Sequence, residues 1–268
     1  MQKLGIVNYF DAIANFAGKT VTMAELEARK LHHDYTDLFT RAVQPALWLL
    51  IVGPVLASIR AIPTGKLPYL DFMAPGILAQ SVLFISIFYG IATIWERDLG
   101  IVHKFLATPT PRSALVMGKA LSAGERGLAQ AVIVYLLALG LNVHLSGNIL
   151  NLLLVFVVIM LGSALFSTFS LIIACLVKTR ERFMGMGQVL TNPLFFASNA
   201  IYPIAIMPGW LQVISQINPL TYEVDALRAL MIMDGTSMYG IPFDLLFLVV
   251  AIAINVAIAA KLYPRIVI

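Results

Sequence analysis

The chain has 268 residues, of which 60% are hydrophobic and only 12% charged, with a mean hydropathy of +0.88. Soluble domains carry roughly 25% charged residues, so this composition excludes an ordinary soluble domain and places the chain among polytopic membrane proteins. The net charge of +4 sits beside hydrophobic stretches rather than in one patch, which argues against a nucleic-acid partner, and the single Cys175 excludes an intrachain disulfide.

Residues 1–42 lack the continuous apolar core of a signal peptide and read as a cytoplasmic amphipathic lead-in. Ile6, Phe10, Ile13 and Ala17 recur at helical spacing, and Thr22-Met23-Ala24-Glu25 has the form of a capping box opening a second helix. That helix has an apolar stripe of Leu31, Tyr35, Leu38 and Ala42, with Glu25–Arg29 and Asp37–Arg41 pairs on its other face. Such a helix suits the membrane interface.

Six transmembrane spans follow, over about 43–62, 70–94, 113–141, 148–177, 183–206 and 242–262, forming an all-α membrane domain over 43–268. The clearest signal is the run between Arg126 and Lys178, which contains no Asp, Glu, Lys or Arg and is long enough for two spans. Pro45 and Pro54 act as kinks in the first span, and Asn192-Pro193 breaks the fifth near its middle. Residues 207–241 are apolar but interrupted by Pro208-Gly209, Asn218-Pro219 and Asp234-Gly235, and read as two short helices dipping into one membrane face. Asn218 and Pro219 suit the N-cap and first position of the second of these, with Asp225 and Arg228 placed to pair at i,i+3 as an external gate. With both termini in the cytoplasm, fourteen of the 18 Lys and Arg fall on the inside and only Arg60, Lys66 and Arg228 outside, Arg126 lying within a span.

Catalytic chemistry is missing from the pattern. A phosphate-cradling loop needs G-x-x-x-x-G-K-[ST]; around Gly18-Lys19-Thr20 the first glycine is replaced by Ile13. His32-His33-Asp34 has no third ligand at metal-binding spacing, so no metal is expected. Apart from Glu125, the spans lack the midplane acids that an ion-driven transporter usually carries.

Two stretches carry a resemblance. One is Trp95-Glu96-Arg97-Asp98-Leu99-Gly100-Ile101-Val102-His103-Lys104-Phe105-Leu106-Ala107-Thr108-Pro109, followed by Arg112 and Gly118-Lys119. The other comprises Asn192-Pro193-Leu194-Phe195-Phe196-Ala197-Ser198, Tyr202-Pro203, Pro208-Gly209-Trp210-Leu211, Asn218-Pro219-Leu220-Thr221-Tyr222 and Asp225-Ala226-Leu227-Arg228. With Met73-Ala74-Pro75-Gly76, they resemble the permease subunits of type-2 ABC exporters, in the branch of the daunorubicin-resistance and nodulation-factor export permeases. The resemblance implies a six-helix permease that pairs with a second permease copy or homologue and with two ATP-binding cassette subunits, which would hold the ATP and Mg; no cofactor is expected in this chain. It also implies a cytoplasmic coupling helix from about Gly100 to Thr108, and a pathway lined by the second and fifth spans near the dimer axis.

On that reading Glu96, Arg97, Gly100, Val102, Phe105 and Leu106 serve ATPase coupling. Leu99, Val102, Phe105 and Leu106 are expected to offer an apolar docking face, with Glu96 pairing with a basic residue at the junction. Gln80, Phe84, Phe88, Asn192, Phe196 and Asn199 are the expected pathway residues, with Phe195 beside them. The cargo expected is an amphipathic drug, lipid or lipid-linked glycan, a polysaccharide being the alternative.

Overall fold

The computed structural model describes residues 16–25, 35–60, 62–108, 110–177 and 179–266. Ile6, Phe10, Ile13, Arg29, Leu31 and the His32-His33-Asp34 cluster lie outside them. Among the described residues there are helices and no strands, with one isolated bridge between Leu145 and Ile232.

Helix α1 covers residues 16–25. The capping box expected at Thr22 is not formed, because Thr22 is inside the helix: its hydroxyl donates to the Gly18 carbonyl, and Thr20 donates likewise to Phe16. Nor is this segment simply a solvated strip, since Met23 and Thr20 are buried and Met23 packs with Leu115 and Val116.

α2 (Tyr35–Leu47), a π-helical turn (Trp48–Val52) and α3 (Gly53–Ile59) run on without a break. The boundary expected at 42/43 therefore falls inside α2, and the lead-in merges with the first span. Pro45 and Pro54 cannot donate backbone hydrogen bonds, and the wider π turn lies between them. Arg60 then ends the run in the left-handed region, at φ 49°.

The remaining helices are α4 (Tyr69–Asp98), α5 (Ile101–Leu106), α6 (Arg112–Gly140), α7 (Ile149–Leu176), α8 (Arg180–Phe196), α9 (Gly209–Ile217), α10 (Pro219–Met231) and α11 (Ile241–Leu262). Four helical runs, Thr40–Ile59, α4, α7 and α11, are long and apolar enough to cross a membrane. α6 has 29 residues, about 44 Å at 1.5 Å each, but carries Arg112, Lys119, Glu125 and Arg126. α8 has 17 residues and stops at Phe196, ten short of the expected end of the fifth span.

Pro193 does not break α8 where expected; the helix runs through it. The break comes at 197–200, where the Ser198 hydroxyl donates to the Phe195 carbonyl and accepts from the Ala200 amide. Those local bonds replace the helical ladder, and Pro203 prevents its resumption.

α4 and α7 form the centre, with α6, α10 and α11 packed around them. α4 is buried along most of its length. The first span instead exposes Leu47, Ile51, Val55 and Ile59, and α11 exposes Phe243, Leu246, Val250 and Ile254. These stripes recur every three or four residues, the spacing of one helix face, and suit lipid contact. Small residues bring the central helices together, as membrane packing favours. A Cβ on Gly76 would lie 2.2 Å from the backbone oxygen of Ala200, so α4 touches the 197–200 turn directly.

Candidate functional site

Midway along α4, a cavity of about 430 Å³ opens between α4, α2 and α8. Its wall includes Arg41, Gln44, Gln80, Phe84, Phe88 and Gln188. Phe84 and Phe88 are one helical turn apart and stack with ring centroids at 6.1 Å. The Arg41 guanidinium lies 5.9 Å from the Phe88 ring. Gln80 is 3% exposed, and its Oε1 has no hydrogen-bond partner among the described residues. Aromatic faces here lie beside amides able to donate and accept hydrogen bonds.

Three expected pathway residues, Gln80, Phe84 and Phe88, meet here. The other three do not. Asn192 is half-buried on α8, one turn beyond Gln188 and not part of this wall, Phe196 is exposed, and Asn199 is buried beside Arg228 at the far end of α4. Phe195, expected near the constriction, is core: it is 1% exposed and packs edge-on against Trp48 at 5.6 Å. The helix stop after Phe196 separates Asn199 from the others, and the period of an uninterrupted helix does not anticipate it. Arg41 and Gln44 were missed because the lead-in and first span read as separate segments.

From the cavity, α4 runs about 12 Å further, from Phe88 to Glu96, at 1.5 Å per residue. There its end is tied to three other elements. Lys119 of α6 donates to Glu96 at 2.6 Å, with side-chain exposures of 4% and 7%. Asp98 accepts from its neighbour Arg97 and from Arg180 of α8, both at 2.9 Å. Arg97 also donates to the Val177 carbonyl at 3.4 Å, and the Arg180 guanidinium covers the Trp95 ring at 4.1 Å. The end of α4 that precedes α5 is therefore held by charged and hydrogen-bonded contacts to α6, to the residue after α7 and to α8.

Gly100 joins α4 to α5 at φ +71°, a conformation that glycine adopts without steric cost. α5 is shorter than the expected 100–108, and its apolar side faces inward. Val102 is fully buried with Leu115, Val116, Leu171, Cys175 and Tyr263, while Phe105 and Leu106 pack on the same cluster. The expected docking face of Leu99, Val102, Phe105 and Leu106 is thus corrected: three of the four anchor α5 to its own chain. Residues at i, i+3 and i+4 share one side of a helix, and the left-handed turn at Gly100 separates Leu99 from it. The outward side offers Leu99, which is 70% exposed, with His103 and Lys104.

At the opposite end, Asp225 and Arg228 do not pair as expected. Asp225 Oδ2 accepts from the Ser237 hydroxyl at 2.8 Å and from the amides of Met238 and Tyr239 at 2.7 and 3.1 Å. Arg228 donates to the carbonyls of Phe72 and Asn199 at 3.2 and 2.7 Å and stacks on the Phe72 ring. Both are buried, at 2% and 5% exposure. They are structural ties from α10 to the 237–239 loop and to α4, which i,i+3 spacing alone does not reveal. The Asn218 cap does form: its side chain accepts from the Leu220 amide at 3.0 Å.

The ABC-2 type transporter family model matches residues 18–232. The chain is similar to a transport permease, ycf38, of Cyanophora paradoxa, with 31% identity over 196 residues, covering 72% of this chain and 67% of that one. It is 25% identical over 199 residues to the daunorubicin resistance ABC transporter permease protein DrrB1 of Streptomyces coeruleorubidus, covering 74% and 70%. The inner membrane transport permease YadH of Escherichia coli (strain K12) is 21% identical over 219 residues, covering 78% and 82%. Family membership implies ATP-binding cassette partner subunits. The chain belongs to the ABC-2 type transporter family, as a multi-pass permease subunit of an ABC transporter.

Proposed function

We propose that the chain is the membrane half of an exporter that moves an amphipathic molecule out of the cytoplasm, using ATP and Mg bound on two partner ATPase subunits. The observation that carries this reading is the use of one helix for two tasks. α4 lines the aromatic and amide cavity with Gln80, Phe84 and Phe88, and its end carries the buried Glu96–Lys119 pair beside α5. A push on α5 from a docked ATPase turns or tilts α4 and reshapes the cavity. The outward residues Leu99, His103 and Lys104 make the contact, with Val102, Phe105 and Leu106 holding α5 in place.

Both termini are cytoplasmic in this reading, with six passes across a cell or inner membrane; α6 and α8 complete the count. The inside excess of Lys and Arg supports it. A second permease copy or homologue covers the open side of the cavity, where Gln44, Gln80 and Gln188 call for a protein or water neighbour rather than lipid. The similarity to a daunorubicin resistance permease supports an amphipathic cargo.

The test is reconstitution with the ATPase partner in inverted vesicles. Uptake of a fluorescent phospholipid analogue and of a fluorescent cationic dye is followed with and without ATP. ATP-dependent uptake that falls several-fold in Phe84→Ala and Gln80→Leu supports the reading. Equal uptake in parent and variants removes the cavity from the pathway, and uptake driven by an ion gradient without ATP overturns the class.

A further inference from the structure

Glu223 lies in the second turn of α10, and its side chain is completely buried. Neither carboxyl oxygen has a hydrogen-bond partner among the described residues. The carboxyl end lies against α7 at Gly162, near the middle of that helix, where a Cβ would overlap both oxygens. Residues two apart on a helix point to different sides. Glu223 therefore faces away from Asp225, which is tied to the 237–239 loop.

No charge balances this carboxyl group. The elements packed on α10 are α11, α7, α4 and α9. α9 holds no ionisable side chain, and α7 holds only Cys175, near its far end. On α11, Asp244 accepts from Ser237, and Lys261 is in the last turn. On α4, Asp71 contacts His144, Glu96 contacts Lys119, and Asp98 contacts Arg97 and Arg180. Tyr69 of α4 donates to the Ile201 carbonyl, and Tyr89 lies under Arg126. On α10 itself, Arg228 donates to the Phe72 and Asn199 carbonyls, and Tyr222 donates to Gln216. Ser163, next to Gly162, and Gln130 of α6 are buried with unpartnered polar atoms as well, but both are uncharged.

A carboxylate taken out of water without a counter-charge is disfavoured far more than the neutral acid. We propose that Glu223 is a proton-binding site, and that the bound proton lets α10 seat on α7 at Gly162. Transfer of that proton to water leaves a bare carboxylate against α7, and α10 then moves off to admit solvent. The proton positions α10 and drives no transport. The site adds a pH response that the permease reading does not contain, and its test uses neither ATP nor cargo.

The first measurement is infrared difference spectroscopy of the full chain in phosphatidylcholine nanodiscs, parent against Glu223→Gln, at neutral pH. The parent should show the carbonyl band of a protonated carboxyl group, and the variant should lack it. The second is unfolding against pH in mixed dodecyl maltoside and sodium dodecyl sulfate micelles. The unfolded chain exposes Glu223, which loses its proton above about pH 4.3. The folded chain keeps it, so stability falls as pH rises through neutrality, by up to about tenfold in the folding equilibrium per pH unit. Glu223→Gln has no such proton, and should lack this part of the slope and be the more stable form under alkaline conditions. An ionised, structural Glu223 predicts the reverse. The third measurement places a thiol at Ala226, fully buried on the same side of α10, against the buried Cys175 background. At one alkaline pH, Ala226→Cys should react with maleimide several-fold faster alone than combined with Glu223→Gln. A parent without the band, equal pH slopes, or equal labelling in the two forms overturns the proposal. Glu223→Leu replaces Glu223→Gln in all three comparisons if the latter fails to fold.

Discussion

Replacing Glu96 by Gln keeps the side-chain shape and removes the charge that Lys119 faces at 2.6 Å. Both side chains are less than a tenth exposed, so solvent screening reduces the effect little. Breaking a buried pair by removing one partner costs about 3–5 kcal/mol, a factor of roughly 150 to 5,000 in the folding equilibrium. Converting both ends to apolar residues is neutral or favourable by about 1–4 kcal/mol in comparable cases. Glu96→Gln should therefore unfold at clearly lower denaturant than the parent, while Glu96→Leu with Lys119→Met should recover most of the loss. The assay is unfolding in mixed dodecyl maltoside and sodium dodecyl sulfate micelles, followed by tryptophan fluorescence, with Trp95 adjacent to the pair. In the assembled transporter, the charge-free double variant should hydrolyse ATP but export less cargo per ATP, since the tie between α4 and α6 would be held by packing alone. A Glu96→Gln variant within about 1 kcal/mol of the parent, or a double variant no more stable than the single, refutes the reasoning.

Three further outcomes follow from particular contacts. Gly76→Ala places a Cβ 2.2 Å from the Ala200 carbonyl oxygen and should destabilise by about 1–3 kcal/mol or more; Ala200→Gly should not rescue it, because the clash is with backbone. Unfolding curves of the two single variants and the double decide the point. Gly100→Ala must hold φ near +71° and should cost about 1–2 kcal/mol; ATPase activity stimulated by cargo should fall more than basal activity, and equal loss of both would count against a coupling role. Met238→Cys, at a position 63% exposed beyond α10, should react with a membrane-impermeant maleimide added outside intact cells, against the buried Cys175 background. Labelling only in inverted vesicles would reverse the orientation proposed here.

Much of this protein is legible in one dimension. Charge-free apolar runs identify α4, α7 and α11, because a helix in lipid must satisfy its backbone internally and carry apolar side chains for its length. The Asn218-Pro219 cap is equally local: the amide side chain and the amides it serves are two residues apart. So is the punctuation of 207–241, and the joint motifs around Trp95–Pro109 and Asn192–Arg228 pointed to the family that the comparisons show.

Partner choice was not legible, because it depends on which faces of distant helices meet. The acid expected to pair with a basic residue is Glu96, but only packing selects Lys119, 23 residues away, and only packing removes its solvent. Asp225 and Arg228 stand at pairing distance in sequence, yet each finds backbone groups brought by other segments. The apolar side of α5 could have met a partner protein, and instead closes a cluster built from α1, α6, α7, α11 and the turn after it. Composition and periodicity determined by themselves that this is a helical membrane protein and where its main spans lie, since both follow from each residue's solvent preference and its neighbours in sequence. The tertiary structure alone decided which charges are buried together and which face remains for a partner, because burial belongs to pairs of surfaces rather than to residues.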